Sequence, residues 1–205
     1  MSNFLHRVRG GLDKPKIGVR IVKMREYYTP AIVLNITPKR DKDAQILLYT
    51  KDLGKISAIA KSVRKITSKL AGHLTIGSSA DIRLIDAGGS YQLIDGLSIK
   101  KPCAGGEQLK LATFLESVIP QGQPDIQLWY TVSEIFQSCI ITPRIYRYLL
   151  QLMGFVRSGE ETPVCQGCGG GGGQVVYFYA PDIIFLCSDC LSRVRIDINE
   201  TVPVS

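Results

Sequence analysis

The chain is 205 residues long, 45% of them hydrophobic, and carries 25 Lys and Arg against 18 Asp and Glu for a formal net charge of +7. That length can bury a core without disulfides and accommodates one or two domains. No apolar run approaches the roughly 20 residues of a membrane span, and the first twenty residues hold no apolar segment of the secretory kind, so a soluble, intracellular protein is expected.

The charge is unevenly placed. Residues 1–101 hold 19 Lys and Arg against 8 Asp and Glu, a balance of +11, whereas residues 102–205 hold 6 against 10, a balance of −4. A basic half points to a polyanionic partner at that half; the alternative is a solvated surface that only keeps the protein soluble.

Residues 1–25 are basic, poor in large apolar side chains and aperiodic, which predicts a flexible arm. From Tyr28 onward the texture is short β-rich runs: AIVLNIT (Ala31 to Thr37), the turn PKRDKD, AQILLYT (Ala44 to Thr50), the turn KDLG, and KISAIAKSV (Lys55 to Val63). A basic crossover leads to ADIRLIDA (Ala80 to Ala87), a Gly88-Gly89 hairpin signal and SYQLIDGLSI (Ser90 to Ile99). Five strands, interrupted between the third and fourth, fit the Greek-key barrel of the OB type over residues 26–101. An SH3-like barrel is the competitor, and strand count alone does not separate the two.

The crossover KSVRKITSKLAGHL (Lys61 to Leu74) carries Lys61, Arg64, Lys65 and Lys69 with no acidic residue. If it is helical, these four cations share one side. Lys39, Arg40 and Lys42 in the first turn, with Lys51 and Lys55 around the second, extend the field. Such a stripe suits a phosphate backbone, because each neutralised phosphate releases condensed counterions whatever the bases are. OB barrels bind single strands on one face with loops alongside.

Beyond Lys101 the apolar period changes from 2 to 3.6, so residues 102–205 read as a helical domain. Leu111, Leu115 and Val118 make one stripe; Leu128, Val132, Ile135, Phe136 and Cys139 make a second. A third helix is bracketed by Thr142 as N-cap, Pro143 at its first position and Gly154 at its end, with Ile145, Tyr148, Leu149 and Leu152 on one face. Trp129, Tyr146 and Tyr148 are expected in packing roles.

The stretch CQGCGGGGGQVVYFYAPDIIFLCSDC encloses 18 residues between two Cys-x-x-Cys pairs, Cys165 with Cys168 and Cys187 with Cys190. Each pair sets two sulfurs on one turn, and two facing turns offer Zn2+ a tetrahedron at about 2.3 Å per sulfur. Four thiolates leave no open position, so the expected cofactor is one structural zinc. A thioredoxin-like motif would need a βαβ setting, and two disulfides an oxidising compartment. A nucleobase deaminase would need a His-x-Glu or Cys-x-Glu segment, which is absent. Gly167, Gly169 and Gly172 match Gly-x-Gly-x-x-Gly by chance in a glycine tract, which reads as the flexible tip of the zinc element. Cys103 and Cys139 fall outside the pattern and are expected to be buried free thiols. Val194, Ile196 and Ile198 alternate with polar residues and predict a terminal strand closing the zinc ribbon.

The run LLYTKDLGKISAIAKSVRKITSKLAGHL, after a first strand ending in ITPKRDKD, resembles the N-terminal domain of the bacterial recombination mediator RecO family. RIYRYLLQLMGF leading into CQGCG and later FLCSDC resembles that family's C-terminal domain. The likeness spans roughly residues 27–191. It implies an α+β architecture: a five-stranded OB barrel, then a small helical domain with a four-cysteine zinc element at 165–190. It also implies binding of single- and double-stranded DNA, annealing of complementary strands, and help in loading RecA with RecR on strands coated by single-strand-binding protein. The tail of that coating protein would meet the helical domain, where the chain's own balance of −4 argues for a local apolar groove with a few cations such as Arg144 and Arg147 rather than a broad basic surface. A cytoplasmic, nucleoid-associated location goes with this reading. The family commonly begins near the first strand and continues with more helix after the last cysteine, so the basic arm and the short helical domain depart from its pattern.

No Walker A sequence, metal-binding carboxylate cluster or nucleophile with a base is visible, so no catalytic residue is expected. The alternatives are an RNA-binding OB and zinc-ribbon protein of translation or ribosome assembly, and a protein-interaction adaptor whose basic face meets acidic tails.

Overall fold

The computed structural model describes residues 24–39, 42–65, 68, 70–103, 106–157, 163–170 and 175–204; the expected arm lies outside them but for its last two residues. Strands β1 (Arg25–Pro38), β2 (Ala44–Thr50), β3 (Gly54–Ala60), β4 (Ser79–Asp86) and β5 (Tyr91–Lys100) close a barrel in the order β1-β2-β3-β5-β4. Neighbours pair antiparallel except β3 with β5, which run parallel through Ala58, Ile59 and Ala60. That closed order is the OB topology rather than an SH3-like one.

Alternation explains which side chains fill it. Ala31, Val33, Ala44, Ile46, Leu48, Ala58, Ile82, Leu84 and Leu93 point into the barrel. β1 breaks the alternation at Ala31–Leu34, where four successive residues are buried, because both its faces are covered there. Ile32 and Leu34 face outward into a second core made with the helices, and the strand carries a register irregularity between Val33 and Asn35.

Three helices follow: α1 (Glu107–Val118), α2 (Ile126–Ser138) and α3 (Pro143–Leu152). Leu111, Leu115 and Val118 on α1 and Leu128, Val132, Ile135 and Phe136 on α2 are buried, as their spacing predicts. Asp125 caps α2, accepting from the Leu128 amide at 2.9 Å. On α3 the face is rotated from the expected one: Tyr146, Leu149 and Leu150 are buried, whereas Tyr148 is 50% exposed. Thr142 stands at the N-cap without a side-chain capping bond.

Barrel and helices share the second core. The Tyr49 ring, fully buried at the end of β2, lies 5.5 Å from that of Trp129 on α2, and Asn35 Nδ2 donates to the Glu116 carboxylate of α1. Gly54, at φ +68, comes so close to Gln123 that a Cβ there would lie 2.4 Å from its carbonyl oxygen. Only glycine permits that conformation and that approach.

The last element is a three-stranded sheet of order β7-β6-β8, with β6 (Val176–Tyr179), β7 (Ile184–Cys187) and β8 (Thr201–Pro203), and a short helix α4 (Ser188–Val194) after β7. Phe178 packs edge to face on Phe114 of α1 and tilted against Phe155 and its sheet neighbour Phe185, tying this sheet to the helices. A terminal strand does close the sheet, but it falls at Thr201–Pro203. The residues expected to form it lie instead in and just after α4. Cys139 also departs from expectation. α2 ends at Ser138, and Cys139 turns into the left-handed region at φ 61. It leaves the buried stripe and is exposed, bonded through sulfur to Cys103 rather than lying as a buried thiol.

Candidate nucleic-acid interface and metal centre

The β1–β2 turn and the start of the β3–β4 connection meet at one end of the barrel. The amide of Arg64 donates to the carbonyl of Lys42 at 2.9 Å, and its guanidinium reaches the carbonyl of Lys39 at 3.3 Å. Asp43 holds the crossing: its carboxylate accepts from the amide of Ser62 at 2.6 Å, and its carbonyl accepts from the amide of Lys39 at 3.0 Å. Lys39, Lys42, Lys61, Arg64 and Lys65 are exposed around this crossing. Asp43 is the one acidic residue within these two described segments, and its carboxylate is occupied by a backbone amide. Among the described residues the two salt bridges, Arg83 with Glu26 and Lys110 with Glu107, lie elsewhere.

These cations converge by a different route from the helical stripe expected for the crossover. Residues 61–65 form turns, with Ser62 at φ 54, and the helical piece among the crossover's described residues is a short 3-10 helix at Leu70–His73. Hydrogen bonds to the neighbouring turn, not helical periodicity, gather the charges. Arg40 and Lys69 lie outside the described residues. Lys51 sits at the other end of β2, its ammonium 5.2 Å from the centre of the Tyr130 ring.

Lys55 is not part of the surface. It is 7% exposed, and its ammonium donates to the carbonyl of Glu116 in the last turn of α1, where the helix dipole favours a cation. Its carbonyl accepts from the amide of Gly122 at 2.9 Å. Burial lowers its pKa, partly offset by the nearby Glu116 charge. Lys55 is therefore a joint between barrel and helices, and its sequence signal, a lysine at the start of a buried strand, does not distinguish that role from a surface one.

The barrel's tyrosines are mostly unavailable for stacking. Tyr49 is in the core, Tyr27 and Tyr91 pack edge to face with centroids 6.3 Å apart, and only Tyr28 is open, at 70% exposure. Tyr28 lies near the start of β1, far along the strand from Lys39, with the Arg83 guanidinium 5.8 Å from its ring centre.

At the far end of the chain the four cysteines come together as their spacing predicts. The sulfurs of Cys165, Cys168, Cys187 and Cys190 all lie within 4.8 Å of one another, close to the roughly 3.8 Å edge of a tetrahedron with 2.3 Å metal–sulfur bonds. Gly167 makes room: a Cβ there would sit 2.9 Å from the sulfur of Cys190. Burial pushes the Cys165 thiol up, but backbone N–H donors from Cys187, Cys168 and Gly167 outweigh it and hold the group at about 6. Cys190 is pushed up to about 12, chiefly by its hydrogen bond with the Cys187 side chain and by burial. Four sulfurs this close cannot all ionise unaided, and a cation among them reverses the balance. The donor set and its dimensions fit a metal ion held by all four cysteines.

Residues 24–102, the whole barrel, match the family described as recombination protein O N terminal. The barrel is similar to that domain from its first strand to its last. The DNA repair protein RecO of Dehalococcoides mccartyi strain BAV1 is 41% identical over 64 residues, and those of strains 195 and CBDB1 are 39% identical over the same length. The matched segment is 31% of this chain and 25% of each relative, so the likeness to these proteins covers a quarter of their length. Among the described residues no helix is long and apolar enough to cross a membrane.

Proposed function

We propose that the chain is a non-catalytic DNA-binding protein of recombinational repair that holds single- and double-stranded DNA at the basic end of its barrel and anneals complementary strands. The observation that carries this reading is the convergence of Lys39, Lys42, Lys61, Arg64 and Lys65 from two loops onto one end of a barrel similar to the recombination protein O N-terminal domain. Arg40 and Lys69 belong to the same proposal by their place in the sequence. With no aromatic in these loops, contact is to phosphates, which leaves base edges free to pair. Two strands held on a basic surface repel less and meet more often.

The four cysteines would hold one Zn2+. When bound, it cross-links the turn at 165–168 to the junction of β7 with α4 at 187–190, and with four sulfur ligands it keeps no position for water, so its role is structural. RecR, RecA and single-strand-binding protein are proposed partners. A groove of about 720 Å³ lies between the loop after α1, the start of α2 and the end of α3, with Ile119, Ile126, Met153 and Phe155 on its apolar wall and Gln123 and Asp125 beside them. Neither Arg144 nor Arg147 lines it, so the acidic tail of the coating protein would have to meet apolar surface and cations at separate places.

The test is annealing of complementary oligonucleotides, naked and coated with single-strand-binding protein. Annealing of naked strands should depend on Lys61, Arg64 and Lys65, and annealing of coated strands on the protein's tail. Unchanged annealing of naked strands after charge reversal of those three residues would sink the barrel-end site; indifference to tail deletion would narrow the reading to plain annealing.

A further inference from the structure

The structure assigns a reversible thiol–disulfide site to Cys103 and Cys139, a latch between the connector that leaves the barrel and the C-terminal end of α2. The two Cα atoms are 6.0 Å apart across 36 residues of sequence, within the span that a disulfide bridges. The bond encloses both α1 and α2.

The neighbourhood sets this approach without help from the sulfurs. Gln108, buried in the first turn of α1, accepts from the amide of Cys103 at 2.8 Å and donates to the carbonyl of Phe136 at 3.0 Å. Its side-chain amide also lies 3.2 Å from the sulfur of Cys103. Lys100, at the end of β5, donates to the carbonyl of Gln137. These bonds satisfy last-turn carbonyls of α2 that have no partner within the helix, and they hold the connector beside Cys139 whether the sulfurs are joined or not. Cys139 itself occupies the left-handed position after the helix, φ 61, where glycine or asparagine is favoured. A cysteine there is unfavourable for the backbone, and pairing with Cys103 accounts for it.

Access divides the labour between the two. Cys139 is exposed and Cys103 half-buried, so Cys139 meets a small-molecule disulfide first. Its thiolate, having lost its proton to water, attacks one sulfur of oxidised glutathione, breaking that disulfide and expelling one glutathione thiolate. The thiolate of Cys103 then attacks the Cys139 sulfur of the mixed disulfide and expels the second glutathione. Two protein thiols are oxidised and one glutathione disulfide is reduced to two thiols; excess reduced glutathione runs the sequence backward. The four cysteines at 165–190 are a separate group, so a protein with metal held there offers only these two thiols.

The full chain, purified reduced and with metal bound, would be incubated with oxidised glutathione, quenched in acid, alkylated and mapped by mass spectrometry. Expected are the loss of two alkylatable thiols, one cross-link joining the peptides of Cys103 and Cys139, unchanged metal content, and recovery of both thiols in excess reduced glutathione. The thermal midpoint should rise by roughly 5–15 °C on oxidation, as closing a loop of this length predicts. Cys103→Ser should stop at glutathione on Cys139, and Cys139→Ser should leave Cys103 largely alkylatable. Persistent mixed disulfide in the unsubstituted protein, cross-links to the metal-binding cysteines, or a bond that reduced glutathione fails to reopen would each overturn the site. DNA affinity plays no part in this readout, so its failure leaves the barrel-end proposal standing.

Discussion

The cysteine cluster takes two sulfurs from the turn at 165–168 and two from the junction of β7 with α4 at 187–190, each of which sets its pair by itself. The barrel's basic end takes its charges from two loops whose members, Lys39 and Arg64, are 25 residues apart and are joined only when the barrel closes. The first site is local chemistry repeated twice; the second is a product of topology. This difference decides how each fails. A four-ligand metal site is close to all-or-none, since the loss of one sulfur uncouples the two segments, whereas a phosphate-binding surface loses affinity one contact at a time.

The largest expected effect is on the metal side. If the cysteines hold the proposed zinc, Cys165→Ser should take metal content from one ion per chain toward none and unfold the sheet of β6, β7 and β8, because a structural zinc would contribute on the order of 10 kcal/mol of apparent binding energy to the folded state. Limited proteolysis should show the C-terminal element becoming susceptible while the barrel stays resistant. Acid should act the same way. The ligand form is the thiolate, so metal is retained at neutral pH and released as pH falls and protons compete for the sulfurs, which metal release into a chromogenic chelator would follow. A protein that keeps one metal per chain after Cys165→Ser would break the comparison at its first term.

Trp129→Ala tests the joint between the regions. Trp129 is buried against Tyr49 of the barrel, and truncation of a buried aromatic costs about 3–5 kcal/mol. Chemical denaturation should show that loss in a single transition if barrel and helices unfold together through their shared core. Two separated transitions would show that the shared core does not couple them.

At the barrel end the effect is smaller and graded. Five phosphate contacts predict a slope of log K against log salt near −3.5 for single-stranded DNA, and each contact carries about 0.7 of it. Arg64→Glu with Lys65→Glu should flatten the slope by about 1.4 and weaken binding by roughly 25-fold or more at 0.1 M salt, regardless of base sequence. Fluorescence anisotropy across a salt series measures both quantities, and an unchanged slope would mark the cations as a solvated face.

The same contrast explains what the sequence discloses. Strand β2 and the buried stripes of α1 and α2 are readable because a period of 2 or 3.6 is set by backbone geometry, and the Cys-x-x-Cys pairs because three-residue spacing fixes two sulfurs. The crossover at 61–65 is not readable in that way: its charges suit a helical stripe, but the amides of Ser62 and Arg64 bond to Asp43 and Lys42 instead. Tyr146 packs as expected and Tyr148 does not, because the faces of α3 are chosen by its partners, Phe114 among them. The Cys103–Cys139 bond depends on where the connector and the end of α2 meet, which no local spacing encodes.

Lys55 gives the smallest effect and the sharpest test of the boundary between the two regions. Its charge adds to the barrel's basic total, yet its ammonium is spent on the carbonyl of Glu116 at the end of α1. Lys55→Met keeps the buried stem and removes the charge. DNA affinity and salt slope should therefore stay as they are, and stability at neutral pH should change by no more than about 1.5 kcal/mol, since a lost charged hydrogen bond is offset by relief from burying an ammonium. The pH dependence fixes the sign. Burial lowers the folded-state pKa below the ordinary 10.5, so between the two values the unfolded chain holds more protons than the folded one. Stability conferred by the native lysine then rises with pH through that window. Denaturation of both proteins from neutral pH to about 10.5 should show the native chain gaining on the methionine variant as pH increases. A flatter salt slope in Lys55→Met would return the residue to the DNA surface, and a native chain that loses ground with rising pH would show that its ammonium is favoured, not penalised, at the joint.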